Sequence, residues 1–163
     1  MQNSLSIGEK NFWGIIPDEF KRILGTDSVA GLNFSFFEMG ERKDNPPVVA
    51  PLRMEPGYIL PRHAHNCYRC EIIIQGSLDI GDKILRPGDI MLSEPRTLYG
   101  PHQAGPDGCT TIEIFSSLDA AHTNLIEGED GELIACDTWS ADGAQKMMEH
   151  IEKTRGDLPR RSG

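Results

Sequence analysis

The stretch GYILPRHAHNCYRCEIIIQG, residues 57–76, decides how this chain reads. Gly57 and Gly76 bracket two runs, Tyr58 to His65 and Tyr68 to Ile74, each short enough to be a strand and too short for a long helix. Within the first run His63 and His65 are alternate residues. Alternate residues of a strand share a face, so both imidazoles are expected to point into one cavity, within reach of one ion. Imidazole suits Fe, Ni, Cu, Mn and Zn, and geometry rather than affinity selects among them. The alternative is two ordinary histidines at a barrel mouth, satisfied by hydrogen bonds.

Outward from this stretch the pattern repeats. Seventeen Gly and eleven Pro divide the middle of the chain into short segments, which favours many strands over long helices. Strands are expected at Gly31 to Met39, Val48 to Met54, Ser77 to Leu85 (folded about Gly81-Asp82), Ile90 to Ser93, Thr97 to Tyr99, Thr110 to Ser116 and Leu133 to Trp139. So many short strands at close spacing predict an all-β barrel or sandwich. Pro17 to Leu24 carries helix-start and helix-stop signals. Residues 141–154 put Ala144, Met147, Met148 and Ile151 on one helical face, a docking stripe against the barrel. The reading is one domain over residues 1–163, with a barrel core at about 31–139 and a loose tail at 156–163. The turns at Pro87-Gly88-Asp89 and Gly105-Pro106-Asp107-Gly108 need no functional account.

A net charge of −9 argues against a nucleic acid or an anionic membrane surface as partner, since both would be repelled, and favours a small-molecule substrate. No apolar run approaches the length needed to cross a bilayer, and MQNSLSIGEK lacks the layout of a secretory signal, so a cytoplasmic location is expected. The four cysteines, Cys67, Cys70, Cys109 and Cys136, are expected as thiols.

The residue 57–76 stretch resembles the first cupin motif, in which a Gly precedes H-x-H by five residues, a Glu follows and a Gly closes the next strand; the match falls on Gly57, His63, His65 and Gly76. RPGDIMLSEPRTLYGPH, residues 86–102, resembles the second motif, a Pro-Gly-Asp turn leading to a strand, a Pro and a His. The resemblance implies a cupin-type jelly-roll β-barrel with short helices at its ends. It also implies a divalent transition metal, Fe(II) first with Zn, Ni, Mn or Cu as alternatives, and a homodimer, for which Phe34 or Phe36 would be contacts.

Two departures leave the ligand set open. Counting back from Gly76, the Glu of the motif falls at Arg69, whereas the acid present is Glu71, two residues on and on the same face of a regular strand. Glu71 is then the third ligand at a shifted depth, or Arg69 holds a substrate carboxylate or phosphate by its planar fork. A guanidinium beside a metal ion is unfavourable unless an anion lies between them. In the second motif the expected His falls at Tyr99, and the nearest histidine is His102. Either His102 reaches the ion through the Tyr99-Gly100-Pro101 loop, or Tyr99 faces inward as ligand, proton donor or substrate contact. The candidate set is His63, His65, His102 and Glu71 for metal, Tyr99 and Glu71 for proton transfer, and Arg69 with Cys67 for substrate. Glu113 is either a cavity residue or a solvated one.

The resemblance permits three functions. A metal-dependent dioxygenase acting on a small anionic or carbonyl compound comes first. A metal-dependent lyase, isomerase or cyclase is the alternative, and a non-catalytic binding module anchored by Arg69 is the third.

Overall fold

The computed structural model describes residues 4–16, 18, 21–22 and 31–157. The helix expected over Pro17 to Leu24 falls almost wholly outside the described residues, as does the tail beyond Asp157.

Eight strands form one antiparallel sheet: β1 (Leu32–Phe34), β2 (Phe37–Glu38), β3 (Val48–Met54), β4 (Ile59–Leu60), β5 (Arg69–Asp79), β6 (Ile84–Leu85), β7 (Ile90–Ser93) and β8 (His102–Phe115). Its spine runs β1-β3-β8-β5-β6, with β2 on β3, β4 on β8 and β7 on β5. A second sheet pairs β9 (Thr123–Glu127) with β10 (Leu133–Asp137), and Leu125 of β9 bridges Ala64 in the segment between β4 and β5. Two α-helices follow β8: α1 (Leu118–His122), capped by the Ser117 hydroxyl at the backbone N–H of Ala120, and α2 (Ala141–Asp157). The expected all-β jelly-roll architecture with a C-terminal helix is the architecture present.

Alternation places the interior. On β3, Val48, Ala50, Leu52 and Met54 are buried; on β8, Thr111, Glu113 and Phe115; on β5, Arg69, Glu71 and Ile73. The inward residues divide into an apolar cluster around Phe34, Ala50, Leu52 and Phe115 and a second around Met54, Ile73, Leu78 and Cys109. Between these lie the polar residues of β5 and β8.

Several boundaries differ from the sequence expectation. Gly31 to Met39 breaks at Ser35, whose buried hydroxyl donates to the Phe12 carbonyl at 2.7 Å and accepts from the Ile15 N–H at 3.1 Å, so its polarity is satisfied by the N-terminal segment and not by a ladder. Thr97 to Tyr99 is a bridge, not a strand. The residues Gly105 to Gly108 are not a turn but the middle of the long β8, where the β5–β8 register slips between Ile73 and Gln75 and between Gly76 and Leu78. Gly76 is required there: its φ is +71°, and a β-carbon would collide with the carbonyl of Gly108. The C-terminal helix continues to Asp157, so Gly156 and Asp157 belong to it and not to a loose tail.

Candidate functional site

His63 and His65 do not lie on a regular strand, since β4 ends at Leu60, yet the backbone holds them as one. His63 exchanges both backbone hydrogen bonds with Tyr99 (3.1 and 2.9 Å), and Ala64 exchanges both with Leu125 (2.8 Å each). This pairing on alternate sides keeps both imidazoles facing inward, as the H-x-H spacing requires. Each ring is then fixed by a carbonyl. Nδ1 of His63 lies 2.8 Å from the Pro61 oxygen, and Nδ1 of His65 lies 2.7 Å from the Ala120 oxygen. A carbonyl only accepts, so Nδ1 donates in both rings and Nε2 carries the lone pair.

The lone pair of His63 is already engaged, because the Tyr99 hydroxyl donates to its Nε2 at 3.0 Å. Tyr99 touches all three histidines, with ring centroids 4.6 Å from His63, 6.5 Å from His65 and 5.8 Å from His102. His102 opens β8 opposite Leu60 and is buried, and its Nδ1 has no hydrogen-bond partner.

The lower half of the site is an ion-pair cluster. The β5–β8 register sets Glu71 directly opposite Glu113, both inward. Like charges facing each other across strands destabilise a sheet, and Arg69, two residues from Glu71 on the same face, resolves the conflict. Its Nη2 donates to Glu71 at 2.7 Å and to Glu113, and its Nε donates to Glu113 at 3.0 Å. The guanidinium carbon lies 4.4 Å from the Tyr99 ring centroid, a cation–π contact made with Arg69 fully buried.

Burial sets the protonation states. Burial, His65 beside it and the Arg69 cation hold His63 well below the usual imidazole value, against the pull of the Pro61 carbonyl. Burial brings His65 down to about 4, against its backbone acceptors and helped by Arg69. His102 is lowered as well, chiefly by burial. Burial raises Glu113 to about 7, with Glu71 adding to the rise and Arg69 opposing it. Burial also lifts Tyr99 well above its ordinary value, so the phenol keeps its proton.

Above this cluster opens a cavity of about 130 Å³, near the roughly 150 Å³ at which an apolar void takes up a benzene-sized molecule. Its walls are mainly apolar: Leu32, Phe34, Leu52 and Phe115 from the sheet, Phe36 from the link between β1 and β2, and Ala144, Met147, Met148 and Ile151 from the stripe expected on α2. Tyr58, His63, His65, Glu113, Asn124 and Thr138 are the lining residues that carry polar groups.

Of the residues picked out from sequence, His63, His65 and Tyr99 come together, and Tyr99 also stacks on His102. Glu71 is fully buried beneath, paired with Arg69, and does not line the cavity. Arg69 spends Nε and Nη2 on carboxylates, keeps Nη1 buried without a hydrogen-bond partner, and does not line the cavity. Cys67 packs in the apolar core near Phe34 and Phe115, its thiol pushed up by burial. Phe34 and Phe36 line the cavity. Glu113 is the residue that sequence leaves undecided. The signal lies in the register, since a carboxylate inward on β8 opposite Glu71 must meet Arg69.

A divalent ion fits this donor set poorly. Among the described residues no three His, Cys, Asp or Glu side chains come together as an ion-holding group. Tyr99 caps His63, and each carboxylate gives one oxygen to Arg69, which leaves Glu71 Oε1 and His102 Nδ1 as buried atoms here without a hydrogen-bond partner.

No family model matches the chain, and no curated protein sequence matches it. Solved structures do. An acetylacetone dioxygenase from Acinetobacter johnsonii is 12% identical, with a TM-score of 0.56 over 94% of this chain and 93% of that one. A protein of unknown function with a cupin-like fold from Ralstonia eutropha is 14% identical, with a TM-score of 0.52 over 100% of this chain and 99% of that one. At these identities the likeness speaks for architecture, and on that architecture and the strand order above, the chain has a cupin-like fold.

Proposed function

We propose that this chain is a cupin enzyme of the isomerase or lyase type, moving a proton on a compact, largely apolar molecule that carries one carbonyl group. The observation that carries the reading is the patch of His63, His65 and Glu113 on the wall of a mainly apolar cavity. The apolar walls take the body of the ligand and leave its single polar group to meet the patch. A carboxyl raised to about 7 is matched to proton transfer near neutral pH, where an ordinary glutamate is fully ionised. Glu113 in its acid form donates to the carbonyl oxygen, and the Nε2 lone pair of His65 takes the proton from the adjacent carbon. That yields the enol and a carboxylate–imidazolium pair, which is reset as the protons return. The Tyr99 hydroxyl and the Pro61 carbonyl hold the His63 ring beside the reacting group.

The oxygenase reading has on its side a structural neighbour named acetylacetone dioxygenase, and the two Nδ1-anchored rings, which resemble the hydrogen-bonded support given to ligating histidines. It needs an ion that Arg69 and Tyr99 oppose. The experiment is solvent deuterium exchange at the α-carbons of a panel of small ketones and keto acids, followed by NMR. Wild type is expected to catalyse exchange on a subset, and Glu113→Gln to lose roughly 10²-fold or more of that rate, the typical contribution of a positioned acid. Exchange unaffected by Glu113→Gln, or turnover only with Fe(II) and oxygen, contradicts the proposal.

A further inference from the structure

We infer that the Arg69 guanidinium, clamped by Glu71 and Glu113 and laid against the Tyr99 ring, is the resident cation of this barrel, standing where the H-x-H pair would otherwise recruit a divalent ion. This role is independent of the proton-transfer reading, and its test reads metal content and not turnover.

Three observations converge on it. The first is position. Arg69 is the first residue of β5, inward-facing and four residues beyond His65, so it projects into the same end of the barrel as the two imidazoles. The second is charge. Glu71 and Glu113, the two carboxylates of that interior, both pair with this one guanidinium. An acidic pair facing each other across strands calls for a cation between them, and here the cation is covalently part of the chain. The third is the state of the nitrogen donors. The Tyr99 hydroxyl fills the His63 Nε2 lone pair, and the Tyr99 ring rests on Arg69, so one residue couples the guanidinium to the histidine pair. A permanent charge needs no loading and cannot be chelated away. It is also redox-silent, so chemistry at this site proceeds without an electron-transferring centre unless one arrives with the substrate.

One substitution should then convert the site. Arg69→Glu removes the fixed charge and supplies a carboxylate beside His63 and His65. Purified protein is loaded with Zn(II), passed through gel filtration and assayed for zinc per chain. Wild type is expected to retain little, roughly tenfold or more below Arg69→Glu, which is expected near one zinc per chain with a zinc-dependent rise in Tm. Three clustered carboxyls can unfold the single variant, so Arg69→Glu/Glu113→Gln is made beside it, keeping the new ligand while removing one acid. The inference is overturned if wild type holds near-stoichiometric zinc that His63→Ala/His65→Ala loses. It is equally overturned if the folded Arg69→Glu or double variant takes up no more zinc than wild type.

Discussion

Arg69 and Glu113 depend on each other, and the dependence has a sign in pH. Glu113 has an ordinary value of 4.5 and is raised to about 7 in the fold, where burial outweighs the help of Arg69. A group whose value is raised on folding contributes stability that is fully present below its unfolded value and is lost as pH rises through the folded one. Between pH 4.5 and 7, wild type therefore loses roughly 3 kcal/mol relative to Glu113→Gln, since each tenfold change in proton affinity is worth about 1.4 kcal/mol. Denaturant unfolding of the two proteins across that range measures it. A difference that does not change with pH would mean that Glu113 is ionised in the fold as it is outside it. Removing Arg69 is harsher than removing Glu113, because Glu71 would lose its cation and Glu113 its donor, and breaking a buried pair from one side costs about 3–5 kcal/mol.

At the scale of elements, β3 and β7 were legible to the residue from alternation and turn residues. The H-x-H face was legible for a related reason, since a period of two is preserved by the Tyr99 and Leu125 pairings even where the strand is irregular. The length of β8 was not. Gly105-Pro106-Asp107-Gly108 has the composition of a turn, and only tertiary pairing with β4 and β5, through bulges that need Gly76 and Gly108, draws it into the sheet. The strand β9 was missed because TNLIE is short and is defined by its partner β10. The stripe on α2 reads correctly as a docking face, yet its docking leaves a gap: Ala144, Met147, Met148 and Ile151 form one wall of the cavity and so connect the helix to the site. The candidate site was half legible. Spacing gives His63 and His65, but the meeting of Arg69 with Glu113, 44 residues apart in sequence, depends on β5–β8 register that no local pattern encodes.

Across the whole molecule, the excess of acidic residues leaves one face of the sheet without charge. Ile90 and Leu92 of β7 lie opposite Ile72 and Cys70 of β5, which lie opposite Ile112 and Ile114 of β8, all on the outer side of the sheet. Leu92 is 77% exposed, Tyr68 64% and Ile90 59%, a contiguous uncharged patch of the kind that marks an interface. We propose that the homodimer expected from the sequence uses this face and not Phe34 or Phe36. Light scattering should give twice the 18.1 kDa chain mass, with Leu92→Glu giving one chain mass; a wild-type monomer contradicts it. Among the described residues no helix is long and apolar enough to cross a membrane.

The measurement that bears most directly on the proposed chemistry is a ¹³C NMR titration of the glutamate side-chain carboxyls in wild type, with Glu113→Gln to assign the signal. One carboxyl titrating near pH 7 that vanishes in the variant is the expected result. If instead every glutamate titrates in the ordinary carboxylate range, Glu113 is no proton donor at neutral pH and the proposed chemistry fails.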